Sequence, residues 1–282
     1  MMRNAALLLV TIVAAACSGE RVVVGSKNFT EQRVLGEIVA QAIEGAGLPV
    51  ERRLDLGGTF VCDTAIRAGQ IDVYVEYTGT ALTAILHQAP EGDPAHVLAR
   101  VRAAYAVAGL EWTEPLGFDN TFALVVHPEA GVATISAAVG PATRWRAGVG
   151  YEFQQRADGL PALERTYGLR FAEVRTMDLG LLYRALTEQT VDLVVGSATD
   201  GPIAARGLVV LADDRHAFPP YDAVPVVRRA TLERHPALRR ALALLGGRLS
   251  VDAMRRLNQA VDGDRRQPRE VAQLFVSSLR DF

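Results

Sequence analysis

Val22-Val23-Val24-Gly25-Ser26-Lys27-Asn28-Phe29-Thr30-Glu31-Gln32 is the stretch that decides the fold. Three β-branched residues in a row read as a buried strand. A short polar turn follows, and then Val34, Leu35, Ile38, Val39, Ala42 and Ile43 recur at helical spacing, which predicts a helix over residues 31–46. Thr30 is the expected N-cap. Working outward, residues 50–54 read as a strand, 59–68 as a helix and 71–75 as a third strand. This β-α-β-α-β order predicts a parallel sheet covered by helices, with ligand sites beyond the carboxyl ends of the strands.

A second series follows. Strands are expected over residues 121–126, 146–149, 170–174, 191–195 and 208–211, with helices over 160–167 and 179–187 between them. Residues 223–227 form a last strand, and the helices predicted after it, 236–245, 251–261 and 269–279, have no strands of their own. Those helices are expected to pack back on the first series. The outcome is an α/β protein of two lobes, residues 21–123 plus 225–282 and residues 124–224. The chain would cross between them near 121–127 and 221–226, leaving a cleft suited to a ligand.

The start of the chain reads as a secretory leader, residues 1–17. Arg3 supplies a charge, residues 5–16 are almost wholly apolar, and Ala14-Ala15-Ala16-Cys17 closes the run with small residues. The run is shorter than the roughly 20 apolar residues that cross a bilayer. A cysteine at the junction resembles a bacterial lipoprotein processing site, which implies lipidation of Cys17; ordinary cleavage nearby would leave a free thiol instead. The formal net charge of −2 leaves no basic footprint for nucleic acid. Cys62 is the only other cysteine, so an acylated Cys17 leaves no internal disulfide.

Lys27 is the only lysine in a chain whose other basic residues are all arginine. An ammonium is a compact point charge and a guanidinium a broad planar fork, so a lysine retained between strand and helix points to a need for the smaller group. Polar and aromatic residues also gather at the other expected strand ends and crossings. These are Glu76-Tyr77-Thr78-Gly79-Thr80, Asn120-Thr121-Phe122, Arg156-Ala157-Asp158-Gly159, Ser197-Ala198-Thr199-Asp200-Gly201 and Pro219-Pro220-Tyr221-Asp222. Each has a plainer reading: Asp-Gly pairs form turns, phenylalanines fill cores, and Arg156 caps a helix or pairs with Glu152. Their coincidence at one edge favours a site.

These segments, together with Gly25-Ser-Lys-Asn-Phe-Thr-Glu-Gln32, resemble in order the signature segments of the osmoprotectant-binding proteins (OpuAC/ProX-like). Those are the glycine betaine, carnitine and choline receptors of bacterial ABC importers. The likeness runs from about residue 22 to 274. It implies a type II periplasmic-binding-protein fold with two crossover strands, whose lobes close on the ligand. It further implies an aromatic box for a trimethylammonium group at Tyr77, Phe122 and Tyr221, and carboxylate contacts at Lys27, Thr80 and Arg156. Phe122 stands where tyrosine is usual, and Ser197 where many members carry a ring. Threonine at position 80 favours a carboxylated ligand over choline. The opening at Ser197 either weakens the box or admits a bulkier betaine with an aromatic or heterocyclic body, such as ergothioneine.

The resemblance implies as partners a quaternary-ammonium ligand, a permease and an ATPase, and a membrane reached through a lipid anchor. It implies a monomer outside the cytoplasm, with no cofactor and no metal. A ligand-sensing lipoprotein serving a signalling partner is the alternative. An enzyme on the same fold is a weaker one. No nucleophile-elbow, zinc-protease or phosphate-loop motif is present, the five histidines are scattered, and Cys62 beside Asp63 has no motif around it.

Overall fold

The computed structural model describes residues 20–280. The leader and Cys17 lie outside the described residues. Among the described residues ten strands build two five-stranded sheets. The first holds β1 (Val22–Gly25), β2 (Val50–Arg53), β3 (Val73–Tyr77), β4 (Leu110–Trp112) and β10 (Ala223–Arg228), in the order β2-β1-β3-β10-β4. The second holds β5 (Phe122–Val126), β6 (Arg146–Val149), β7 (Glu173–Thr176), β8 (Leu193–Ser197) and β9 (Val209–Val210), in the order β7-β6-β8-β5-β9.

Both sheets are mixed rather than parallel. β1 runs parallel to β2 and β3, as the β-α-β rhythm demands, but β10 enters antiparallel between β3 and β4. In the second sheet β5 lies antiparallel to β8 and β9. The reversal comes from the two strands that follow a crossing, which reach their sheet from the opposite lobe. The crossings themselves fall just before those strands, where Asp119 bridges Asp222 and the Asn120 N–H donates to the Tyr221 carbonyl at 3.1 Å. The lobe boundaries read from the sequence, 123/124 and 224/225, therefore fall inside β5 and β10.

The helix Thr30–Gly45 buries the predicted apolar face, Val34 through Ile43, against the first sheet and the C-terminal helix Pro268–Arg280. Its N-cap is Phe29, not Thr30. Thr30 is the first helical residue, and its hydroxyl donates across to Asp262 Oδ1 at 2.6 Å instead of back to its own helix. β3 and β8 begin two residues later than their apolar runs suggest, because Asp72 and Asp192 accept neighbouring backbone N–H groups ahead of the ladders; β7 begins three residues late. The helix expected over 179–187 opens as a 3-10 turn, Leu179–Leu181, before Leu182–Thr187. Of the late helices, Pro236–Ala243 and Pro268–Arg280 do pack on Thr30–Gly45. Val251–Asp262 also touches Gly201–Ala205 of the second lobe, so it spans the two.

Candidate ligand-binding cleft

The loop after β1 is fixed by its neighbours. The Leu56 N–H donates to the Ser26 carbonyl at 3.0 Å, the Asp55 N–H to Ser26 Oγ at 2.9 Å, and the Asn28 N–H to the Gly57 carbonyl at 3.0 Å. Gly36 lets the helix lie against this loop: a Cβ there would sit 2.7 Å from Leu54 Cδ2 and 3.2 Å from Ser26 Cβ. The result is a buried Lys27, whose Nζ stands 2.5 Å from Oε1 of Glu76, a carboxylate with no exposed surface. Glu76 Oε1 also accepts the Tyr77 N–H at 2.7 Å, and Oε2 the Tyr74 hydroxyl at 3.2 Å. Burial pushes the Glu76 carboxyl up, and Lys27 opposes that shift. With Oε2 taken by the Tyr74 hydroxyl, Glu76 offers Lys27 one oxygen, which suits a compact ammonium better than a bidentate fork.

Tyr77 is the last residue of β3, two positions past the strand end that the sequence predicts. Its ring centre lies 5.0 Å from Lys27 Nζ, and its hydroxyl donates to Glu31 Oε1 at 2.6 Å. Glu31 is a hub that the sequence reading did not find. Asn120 Nδ2 reaches the same oxygen at 2.8 Å, while Asn258 Nδ2, at 3.1 Å, and the Thr199 hydroxyl reach the other. One carboxyl thus joins the first helix, the end of β3, the crossing, the second lobe and the helix Val251–Asp262. Burial pushes its pKa up to about 7, against the hydrogen bonds from Thr199, Tyr77 and Asn258; nearby Asp200 adds to the rise. The Thr199 hydroxyl also lies 2.9 Å from Asn120 Oδ1. It has one hydrogen for two acceptors, which a protonated Glu31 reconciles.

On the facing wall Arg156 pairs only loosely with Glu152, Nη1 to Oε2 at 4.0 Å. Its Nε and Nη2 donate to Asp158 Oδ1 and Oδ2 at 2.9 and 2.6 Å, and Nη2 also reaches Thr80 Oγ1 at 3.2 Å. Asp158, read from the sequence as a turn former, is wholly buried. Besides Arg156 it accepts the Tyr221 hydroxyl at 2.7 Å and the Thr83 hydroxyl at 2.6 Å. Burial works against its charge, but Arg156 and the hydroxyls outweigh it and hold the carboxyl below its ordinary range. Because Thr80 and Thr83 follow β3 while Arg156 and Asp158 follow β6, this cluster ties the lobes together.

The rings converge. Phe122 packs edge-on to Phe153, Phe218 and Tyr221, with centroids 4.8, 5.4 and 5.3 Å apart, and the Arg156 guanidinium stands 5.2 Å from its centre. Gly79 makes the approach of Tyr221 possible, since a Cβ there would lie 2.8 Å from the tyrosine ring and 2.6 Å from the Pro220 carbonyl. Ser197 ends β8 with its N–H donating to Asp200 Oδ2 at 2.8 Å, an oxygen that also takes the Tyr183 hydroxyl at 2.7 Å. Burial pushes Asp200 up to about 6, opposed by those two donors.

All seven sequence-predicted site residues (Lys27, Tyr77, Thr80, Phe122, Arg156, Ser197 and Tyr221) line one cleft of about 890 Å³. The buried carboxylates behind them, Glu76, Asp158 and Glu31, were missed, as was Phe153. Cys62 is buried, its thiol pushed up to about 12 mainly by burial, and Asp63 is engaged by Arg67 and Tyr105.

The sequence model of OpuAC, the "substrate binding domain of ABC-type glycine betaine transport system", matches residues 20–278. The chain belongs to this family. It is 34% identical to a glycine-betaine-binding protein of Pseudomonas aeruginosa, over 95% of this chain and 94% of that one. It is 32% identical to the carnitine transport binding protein OpuCC of Listeria monocytogenes, over 94% and 89% of the two. A solved structure described as a glycine betaine/carnitine/choline ABC transporter superposes with a TM-score of 0.78 at 30% identity, covering 92% of this chain and 98% of that one. The fold is that of the type II periplasmic binding proteins, and the protein is an ABC-transporter substrate-binding protein of the glycine betaine and carnitine group.

Proposed function

We propose that this OpuAC-family protein binds a trimethylammonium zwitterion between its lobes and delivers it for import without altering it. The supporting observation is the convergence of Tyr77, Phe122 and Tyr221 with Lys27, Thr80 and Arg156 on one cleft. A quaternary ammonium has no N–H to donate, so ring faces supply its attraction, about 0.5–2 kcal/mol each once water is excluded. Phe122 and Tyr77 already accept the protein's own cations in this way.

The carboxylate end has donors in reserve. Lys27 commits one of its three N–H groups to Glu76. Arg156 commits Nε and Nη2, leaving Nη1 for the ligand. Thr80 accepts from Arg156 and keeps its own hydrogen. Because Lys27 and Arg156 are each matched by a buried carboxylate, a ligand of zero net charge suits the cleft. A ligand held from both walls binds the closed form better than the open one, which is what drives closure.

The protein works outside the cytoplasm as a monomer, anchored through a lipid on Cys17, and hands its cargo to a permease driven by an ATPase. Among the described residues no helix is long and apolar enough to cross a membrane. Cys17→Ser tests the lipid anchor and should move the protein from the membrane to the soluble fraction. Calorimetric titration with glycine betaine, carnitine, proline betaine, choline and ergothioneine tests the ligand class. Binding of at least one zwitterion, weakened about tenfold or more by Tyr77→Ala and by Tyr221→Ala, is expected. Unchanged affinity in both variants would remove the aromatic box.

A further inference from the structure

The helix Thr59–Arg67 starts without a cap of its own. Its N-cap is Gly58, whose carbonyl accepts the Cys62 N–H at 3.2 Å but which has no side chain to take the free N–H groups of the first turn. The backbone does not ask for glycine there: φ is −76° and ψ −170°, an extended conformation open to any residue. What the missing side chain admits is Glu152, from the opposite wall of the cleft. Glu152 Oε1 accepts the Thr59 N–H at 3.1 Å, and a Cβ on Gly58 would sit 2.2 Å from that oxygen. Among the described residues, and apart from the two chain neighbours of Gly58, only the Glu152 carboxyl lies within 4 Å of that Cβ position. A carboxylate at this end of a helix also meets the positive end of the helix dipole.

We propose that Glu152 and Gly58 form a closure latch: the second lobe caps a first-lobe helix in trans when the cleft shuts, which favours the closed form without contributing a group to the ligand. Thr59 follows β2 of the first sheet and Glu152 follows β6 of the second, so parting the walls breaks the bond. Glu152 stands one helical turn before Arg156, whose N–H donates to the Glu152 carbonyl at 2.9 Å. Latch and ligand-facing guanidinium therefore ride on the same turn and arrive together. Two other ties between the walls, Arg156 to Thr80 and Asp158 to Thr83, pass through the binding cluster itself. The latch acts differently. A ligand that needs the closed form loses affinity in proportion to the fraction of protein that is open, so the latch strengthens every ligand by one common factor. Selectivity is left to the rings and donors.

The test is a set of calorimetric titrations on the full chain, with glycine betaine, carnitine and choline. Glu152→Ala should weaken every ligand that binds by about fivefold and leave their ratios unchanged. Gly58→Ser supplies a cap in cis and displaces the carboxylate. It should weaken the same ligands by a like factor while the melting temperature holds or rises, a split that loss of a merely structural contact would not give. The two changes together should cost no more than either alone. A loss confined to carboxylated ligands would show that Glu152 acts through Arg156, 4.0 Å away, and would overturn the latch. So would additive losses, or wild-type affinity in Gly58→Ser. A ligand-free measurement separates this inference from the zwitterion reading. Spin labels at the exposed positions 64 and 164, introduced as Thr64→Cys and Glu164→Cys in a Cys17→Ser background, report the distance between the lobes, while Cys62 is buried. Glu152→Ala should lower the ratio of closed to open protein about fivefold. An unchanged ratio would overturn the latch, whether or not any quaternary ammonium binds.

Discussion

The two walls of the cleft are built on different terms. On the first lobe Lys27, Glu76, Tyr77 and Glu31 are buried, and each is held by hydrogen bonds from other elements. At the mouth of the second lobe Tyr151 and Leu179 stand in solvent, and Ser197 leaves space. A wall whose side chains are already locked loses little entropy when the ligand arrives, so it is suited to a head group common to the class. A wall that is open and apolar can set which member of the class is taken. Arg156 and Asp158 are the exception on the second lobe, being as enclosed as the first wall.

The largest expected effect sharpens that exception. Asp158→Ala leaves a buried guanidinium without its counter-ion and should lower stability by about 3–5 kcal/mol in denaturant unfolding. Glu152→Ala, which loses the 4.0 Å contact with Arg156 and the acceptor of the Thr59 N–H at 3.1 Å, should cost about 1 kcal/mol. Equal effects would break the distinction between the enclosed cluster and the open mouth.

Next comes Lys27→Ala. It should weaken carboxylated ligands more than choline, read as the ratio of their dissociation constants. Equal losses would mean that Lys27 serves Glu76 alone. Because Glu76 is left unpaired, the variant should also melt lower.

The smallest effect concerns pH. Glu31 titrates at about 7 in the folded chain against an ordinary 4.5. The folded state therefore holds a proton that the unfolded state releases, and stability falls as pH rises from about 4.5 to about 7, then levels off. Asp200 and Asp119, both raised to about 6, act in the same direction. Asp158, held low, acts oppositely: its contribution is present above its unfolded value and fades as pH falls below it. Glu31→Gln should flatten the decline between pH 4.5 and 7 by an amount on the order of 3 kcal/mol or less. An unchanged slope would show that the hub stays charged.

Much of this was legible in the chain. The apolar period of 34–43 and the β-branched run before it fixed β1 and its helix to within a residue. The helix Pro94–Val107 was overlooked although Asp93 caps it, accepting the Ala95 and His96 N–H groups, with proline at its first position. Its buried face is only Val97, Val101 and Tyr105, too thin a stripe to stand out among alanines and arginines. β4 is three residues long and owes its strand to β10, more than a hundred positions later. The insertion of β10 is likewise a tertiary fact, since a valine run does not carry its direction. At the site, strand ends and crossings mark the candidate segments, and the family resemblance names the residues within them. Their acidic partners could not: Asp158 looks like any Asp-Gly turn, and Glu31 occupies a first helical turn where acids are common anyway. Only the folded chain brings Thr83, Arg156 and Tyr221 onto one carboxylate.

The central claim is that the cleft recognises a positive methylated head by its rings. The direct measurement is a calorimetric comparison of a betaine with its carbon isostere, in which a neutral tert-butyl group replaces trimethylammonium; for glycine betaine this is 3,3-dimethylbutanoate. Shape and carboxylate are kept and only the cation is lost. The betaine should bind at least about tenfold more tightly. Equal affinities would contradict the account, because the cleft would then be reading bulk and not charge.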